Sequence, residues 1–214
     1  MLDLGRLYEY RFKDIDQAAR EAVWEEIAAA VFEIMGRPER ILDPAAGTCE
    51  FINAVPAAER WAVDMVAYGD PAAEGVKMIV ADVHEAELPE AYFDGVFVSN
   101  FLEHLHNPDA VAAFLQKMAR CTRPGGRIAI LGPNIRYCAD EYWDCADHWV
   151  ALTHVAIEEH LYAAGFEPER TIPRYLPYSF RSRLPASQRL TRAYLAMPAV
   201  WRFFGQQFLV VGRR

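Results

Sequence analysis

The sequence contains no run of about 18 uncharged apolar residues, so no stretch of it reads as a membrane-spanning helix. It contains no CxxC pair. Its four cysteines, Cys49, Cys121, Cys138 and Cys145, are scattered, which removes the common zinc and redox spacings and fits a reducing, cytoplasmic setting. The opening MLDLGRLYEYRF mixes acids, bases and aromatics and lacks the apolar centre of a secretory leader. Repeats, low-complexity tracts and flexible linkers are missing as well. The strongest absence is local: residues 171–214 hold eight arginines and not one Asp, Glu or Lys.

What is present is enough for one domain with a full core: 214 residues, 53% of them hydrophobic. The net charge of −8 divides unevenly, because a final segment of +8 leaves −16 on residues 1–170. An acidic body argues against a nucleic-acid partner. The basic, aromatic-rich end points to a local anionic partner: a phosphate, a carboxylate or a membrane surface.

Apolar residues recur at helical spacing over 14–35, and Gly36 and Pro38 end that helix. Short apolar strands follow at 40–43, 60–64, 76–82, 93–100 and 125–131. A helix over 107–121 has Asn107 as its cap and Pro108 in its first turn. Another helix spans 153–166 and closes on Gly165, and a last strand covers 207–212. Near-continuous apolar strands separated by helices imply an α/β fold: a doubly wound, mostly parallel seven-stranded sheet with helices on both faces. The single domain runs from 1 to 214. Residues 1–38 form an N-terminal lid and helix. Residues 173–205 form a basic, amphipathic insertion before the last strand, helical over 187–205 and kinked at Pro198.

Three successive strands end in acid: Asp43, Asp64 and Asp82. Asp64 stands 21 residues beyond Asp43, the spacing at which a carboxylate receives the two hydroxyls of a ribose. The first loop, DPAAGTCEF, has a single glycine, Gly47, bracketed by Asp43 and Glu50. Those acids repel a phosphate and attract an ammonium or sulfonium. The ligand therefore has a ribose, no phosphate and a positive charge, as S-adenosylmethionine does. The same loop argues against an NAD-linked oxidoreductase, whose pyrophosphate needs a glycine turn free of acids.

These residues carry a resemblance. ILDPAAGTCEF, WAVD, ADVHEAELPEAYFDGVFVSNFLEHL and RCTRPGGRIAILGPN resemble, in order, the motifs of the class I S-adenosylmethionine-dependent methyltransferases, with a Rossmann-like fold. The later PNIRY…YWDCADHWVALTH…PYSFRSRLP resembles a subgroup associated with bacterial glycan and specialised-metabolite pathways. The resemblance implies roles by position. Asp43, Ala45 and Gly47 border the methionine part, and Asp64 with Met65 holds the ribose. Asp82 and Val83 meet the adenine, and Asn100 and Phe101 line the transfer path. The loop departs from the family where glycines are usual and Ala45 and Cys49 stand.

Methyl transfer to a hydroxyl needs a group that takes the proton. Among six histidines, His148 is the base by this reading and His154 its alternative. Glu103 and His104 resemble a common family pair. No zinc spacing is present, so no metal is expected. Arg11 on the N-terminal lid, and Tyr178 and Arg181 in the basic segment, are assigned to the substrate. The expected activity is O-methylation of a sugar, glycan or specialised-metabolite intermediate bearing an anionic group, with S-adenosylhomocysteine as the other product. The alternative is a non-catalytic or non-methylating protein of this fold that works with a partner enzyme. The expected partner is a small-molecule or lipid-linked sugar substrate. The remaining expectations are a cytoplasmic monomer or homodimer, with a peripheral membrane contact through 187–204 as one reading.

Overall fold

The structure, a computed structural model, describes residues 4–13, 16–66, 72–178 and 187–214. In chain order the elements are α1 (Leu4–Phe12), α2 (Gln17–Ile34), β1 (Arg40–Asp43), α3 (Glu50–Ala54), β2 (Glu59–Asp64), β3 (Val76–Val80) and β4 (Phe93–Ser99). A short 3-10 turn covers Leu102–His104. Then come α4 (Pro108–Cys121), β5 (Thr122–Pro133), α5 (Ala139–Tyr142), α6 (His154–Ala163), β6 (Glu167–Ile172), α7 (Gln188–Leu195), α8 (Pro198–Phe204) and β7 (Gln207–Arg213).

The seven strands form one sheet in the order β3-β2-β1-β4-β5-β7-β6. From β3 to β5 the neighbours are parallel. β7 is antiparallel to both of its neighbours, β5 and β6, so the sheet is mixed. Strand order reverses between β1 and β4, which opens a crevice at the carboxyl ends of the central strands.

Side chains alternate across the sheet and fill two cores. Val96, Val98, Ile128 and Ile130 face Phe114, Leu115 and Met118 of α4 and Ile157 and Leu161 of α6. Phe97, Ala129 and Leu131 join Trp24, Ile27 and Val31 of α2, Phe51 and Ile52 of α3, and Trp201 of α8 on the other face. Period-2 burial on strands and period-3.6 burial on helices produce this two-faced packing.

Helix ends follow the expected chemistry. Asp16 caps α2 through Ala19 N–H, Asn107 caps α4 through Ala110 N–H, and Thr153 caps α6 through Ala156 N–H. The insertion differs from the single kinked helix expected. Pro198 starts a second helix, because proline suits a first turn and breaks an interior one. α7 lies against α2 through polar pairs: Gln188 to Glu25, and Arg192 to Glu26.

At the amino ends of the strands, Asp94 accepts from the Arg40 backbone N–H and pairs with both Arg40 and Arg123. These partners hold its carboxyl down near about 2 against the opposing effect of burial.

Candidate functional site

The first loop leaves β1 at Asp43 and is pinned to the end of β2. Ala46 N–H donates to the Val63 carbonyl at 3.0 Å, and Gly47 N–H donates to Asp64 Oδ2 at 2.8 Å. Asp64 Oδ1 accepts from Val66 N–H at 3.0 Å. Gly47 has φ +53°, and a Cβ placed there would meet nothing within 4 Å, so the loop is open on that side. Cys49 takes φ +63° just before α3, an uncommon conformation for a side chain of its size. Its thiol is fully buried in the core, so the bulk that replaces glycine points away from solvent.

The loop's electrostatics differ in detail from the expectation. Glu50 is fastened to Arg20 of α2 at 2.8 Å, so its charge is already matched. Asp43 is buried. Burial, helped by Asp64 and Glu50, raises its pKa to about 8 despite a bond from Ala45 N–H. A buried carboxyl in this state gains from a cation placed beside it.

Asp82 lies just past β3 and accepts from His84 N–H at 2.8 Å, while Val83 is buried and Met65 exposed. Asn100 has φ +47° at the end of β4, with its N–H on the Leu131 carbonyl. Phe101 packs on Phe114 with ring centres 5.1 Å apart. Asp43, Ala45, Gly47, Asp64 and Asn100 thus lie at or just past the carboxyl ends of β1, β2 and β4, the side on which strand order reversal opens a crevice.

A second group forms where the turn after β4 meets the loop after β5. The N–H groups of Trp149 and Val150 both donate to the Glu103 carbonyl. His104 Nδ1 lies 3.2 Å from Asp147 Oδ2 and 3.0 Å from the Asp147 carbonyl. Arg11 of α1 pairs with the same Asp147 carboxylate. His148 is buried, with its ring centre 4.9 Å from that of His104 and 4.8 Å from that of Tyr142. Its Nδ1 is enclosed and, among the described residues, has no hydrogen-bond partner.

Burial works against charge on His104, but Asp147 and Glu103 outweigh it and raise its pKa. Burial would also raise the Asp147 carboxyl; the bonds from His104 and Arg11 instead hold it far below its usual range. Burial and the neighbouring His104 lower His148 to about 4, so it is neutral at pH 7.

The remaining assignments fall in different places. His154 starts α6 and receives the Asn134 side-chain amide on Nδ1 at 2.9 Å; that amide also donates to the Pro173 carbonyl. An Nδ1 used in this way joins two loops rather than taking a proton. Tyr178 meets Cys145 at 3.4 Å between hydroxyl and sulfur, at the edge of the second group. Arg181 lies outside the described residues. Arg11 reaches a protein carboxylate, Asp147.

Several arginines of the basic segment have partners within the chain. Arg174 binds the Gly205 and Phe203 carbonyls, Arg192 pairs with Glu26, and Arg213 with Glu169. Arg189 and Arg202 are exposed beside Leu190, Phe203 and Phe204. Among the described residues no helix is long and apolar enough to cross a membrane. A polar pocket lined by Gly36, Arg37, Asp94, Arg123 and Arg127 lies at the opposite, amino ends of the strands.

The Glu103–His104–Asp147–His148 grouping escaped sequence reasoning. His104 and Asp147 are 43 residues apart, and no spacing rule joins a turn after one strand to a loop after the next.

Comparisons agree with the geometry. A family model described as a methyltransferase domain matches residues 42–130. A malonyl-[acyl-carrier protein] O-methyltransferase of Methylococcus capsulatus is 27% identical over 191 residues, 81% of this chain and 68% of its own. Among solved structures, a SAM-dependent methyltransferase from Archaeoglobus fulgidus superposes with a TM-score of 0.68 at 18% identity, covering 99% of this chain and 100% of the other. A Burkholderia thailandensis 1,6-didemethyltoxoflavin-N1-methyltransferase, solved with its substrate and S-adenosylhomocysteine, does so at 0.59 and 22%, covering 98% and 86%.

Proposed function

We propose that the chain is a class I S-adenosylmethionine-dependent methyltransferase and that it methylates an oxygen of a small-molecule acceptor carrying an anionic group. The observation that carries this reading is the first loop, where Asp43, Gly47 and Asp64 gather around an open glycine at the carboxyl ends of the strands.

The residues fit the cofactor. Asp43 is a buried carboxyl whose pKa is about 8, and it suits the methionine ammonium. Asp64 keeps lone pairs beyond its two backbone bonds for ribose hydroxyls. Gly47 admits a ligand against the backbone, where any side chain would intrude. Asp82 and Val83 supply the polar and apolar sides of an adenine contact. S-adenosylmethionine, when bound, supplies a methyl group on a sulfonium with a good leaving group.

The chain's own task is therefore alignment, closure against water and, for a hydroxyl acceptor, handling of one proton. A carboxylate acceptor needs no base. The relative named above is an O-methyltransferase, which supports oxygen as the target. For a hydroxyl acceptor, the candidate side chains just beyond β4 are Glu103, His104 and His148, whose polar atoms gather within 4.8 Å of one another and act on the hydroxyl as a group rather than through His148 alone. The exposed Arg189 and Arg202 favour an anionic group on the acceptor.

Calorimetric titration with S-adenosylmethionine and S-adenosylhomocysteine, with NAD as control, tests the cofactor. Binding of the first two without NAD is expected; binding of NAD alone overturns the reading. Acceptors bearing hydroxyl or carboxylate groups, with and without a second anionic group, then test the substrate class by transfer of labelled methyl. Transfer only to nitrogen acceptors would defeat it.

A further inference from the structure

We propose that Glu103, His104 and His148 form a binding site for a divalent transition-metal ion. One donor atom from each lies within 4.8 Å of the others, and two of the three residues are buried. Small side-chain rotations bring such a trio to the separations that bonds of about 2.0–2.2 Å require.

Three observations point to an ion rather than to a hydrogen-bonded cluster alone. The first is the tautomer of His104. Both partners of its Nδ1, the Asp147 carboxylate and the Asp147 carbonyl, are acceptors, so Nδ1 carries the hydrogen. In the neutral ring Nε2 then carries the lone pair that a metal ion would need. A carboxylate holding the far nitrogen of a ligating imidazole is the usual outer partner in such sites, and Asp147 is itself held by Arg11. The second is His148. The residue is 8% exposed, and among the described residues its enclosed Nδ1 finds no hydrogen-bond partner. A buried ring nitrogen in that condition is costly unless something else occupies its lone pair.

The third is charge. Glu103 and Asp147 bring two carboxyl groups against one guanidinium, that of Arg11, and a dication takes the place of the proton that those carboxyls favour on His104. Two imidazoles and one carboxylate suit Zn2+ and its first-row neighbours. They do not suit Mg2+ or Ca2+, which demand more oxygens. Three protein ligands leave a coordination position open. The site starts two residues beyond Phe101, at the end of β4, so an oxygen entering that position is polarised and its hydroxyl proton becomes more acidic.

Co2+ alone, added to the chelator-treated full-length chain, is the probe, read by visible absorption and calorimetry. One equivalent is expected, with the absorption bands of a four- or five-coordinate ion, and Zn2+ should displace it. Glu103→Gln and His148→Gln each weaken binding by about 100-fold or more, and Asp147→Asn by roughly 10–100-fold. His160→Gln, on α6 and outside the group, leaves it unchanged. Circular dichroism and S-adenosylmethionine binding establish that each variant is folded, and Glu103→Gln, which keeps the side-chain shape, serves if His148→Gln is not. Absence of stoichiometric binding to the unmodified chain overturns the proposal. So does Co2+ binding that survives in folded Glu103→Gln. Because the readout uses metal alone, it stands or falls separately from the methyl acceptor.

Discussion

Arg11 and Asp147 stand 136 residues apart in the chain and form an ion pair that ties the first helix to the loop following β5. The aspartate is almost enclosed and the arginine is largely covered, with side-chain exposures of 6% and 20%. Arg11→Met is expected to cost about 1–2 kcal/mol, between the values for exposed and buried pairs. Limited proteolysis should then cut within the first dozen residues faster than in the unmodified protein. Equal cutting rates would mean that α1 is held by other contacts.

Asp43 should lose its proton when the cofactor binds. With a pKa of about 8 it is mostly protonated at pH 7.5, and a neighbouring cation lowers that value. Binding of S-adenosylmethionine at pH 7.5 therefore releases up to one proton, seen as a heat that depends on the ionisation enthalpy of the buffer. In Asp43→Asn the release disappears, and affinity falls about 10-fold or more, which is roughly 1.4 kcal/mol. A buffer-independent heat in the unmodified protein contradicts the assignment.

Asp94 sets an acid limit on stability. Its folded pKa, near about 2, lies below the unfolded value of about 3.9. A depressed carboxyl stabilises the fold above the unfolded pKa, and that contribution vanishes as pH falls from about 4 to about 2. Asp94→Asn is expected to remove about 1–2 kcal/mol at pH 7, after allowance for the partly exposed arginines, and to flatten the stability profile below pH 4. Urea unfolding at pH 7 and pH 3 checks both points; an unchanged slope between them rules the account out.

Gly205 is needed for space. A Cβ there would come within 2.5 Å of the Arg174 backbone and 2.7 Å of the Trp201 carbonyl. Arg174 also donates to the Gly205 carbonyl at 2.7 Å, so the clash falls on a clamped segment. Gly205→Ala should destabilise by about 1–3 kcal/mol and loosen α8. Arg174→Ala alone, which removes the clamp without the clash, should cost less. If the two variants melt alike, the clamp rather than the close approach is the constraint.

The strands and the long helices were legible because their burial follows simple periods. β1 matches its expected span of 40–43, and Asn107 and Pro108 start α4 as read. The reversal of β7 was not legible, since an apolar strand reads the same in either direction. Asp43, Gly47 and Asp64 were legible as a set because three strand ends repeat one pattern, but the bond between Gly47 and Asp64 was not. His148 was singled out for its loop, yet its environment depends on His104 and Tyr142, which no local pattern brings to it. Missing acids suggested free positive charge at 171–214; Arg174, Arg192 and Arg213 instead find partners elsewhere in the chain.

The place of β7 has a consequence for how the chain is made. β5 and β6 both precede β7 and are not paired with each other, because β7 lies between them. While the chain emerges, β5 keeps an open, hydrogen-bonding edge of largely buried residues, and β6 has no sheet to join. An edge of that kind recruits other strands, including those of neighbouring nascent chains. α7 and α8 lengthen the wait by the time needed to synthesise them. The interval between the end of β6 and the arrival of Gln207 is thus the period in which this protein is most open to misassembly and to chaperone capture.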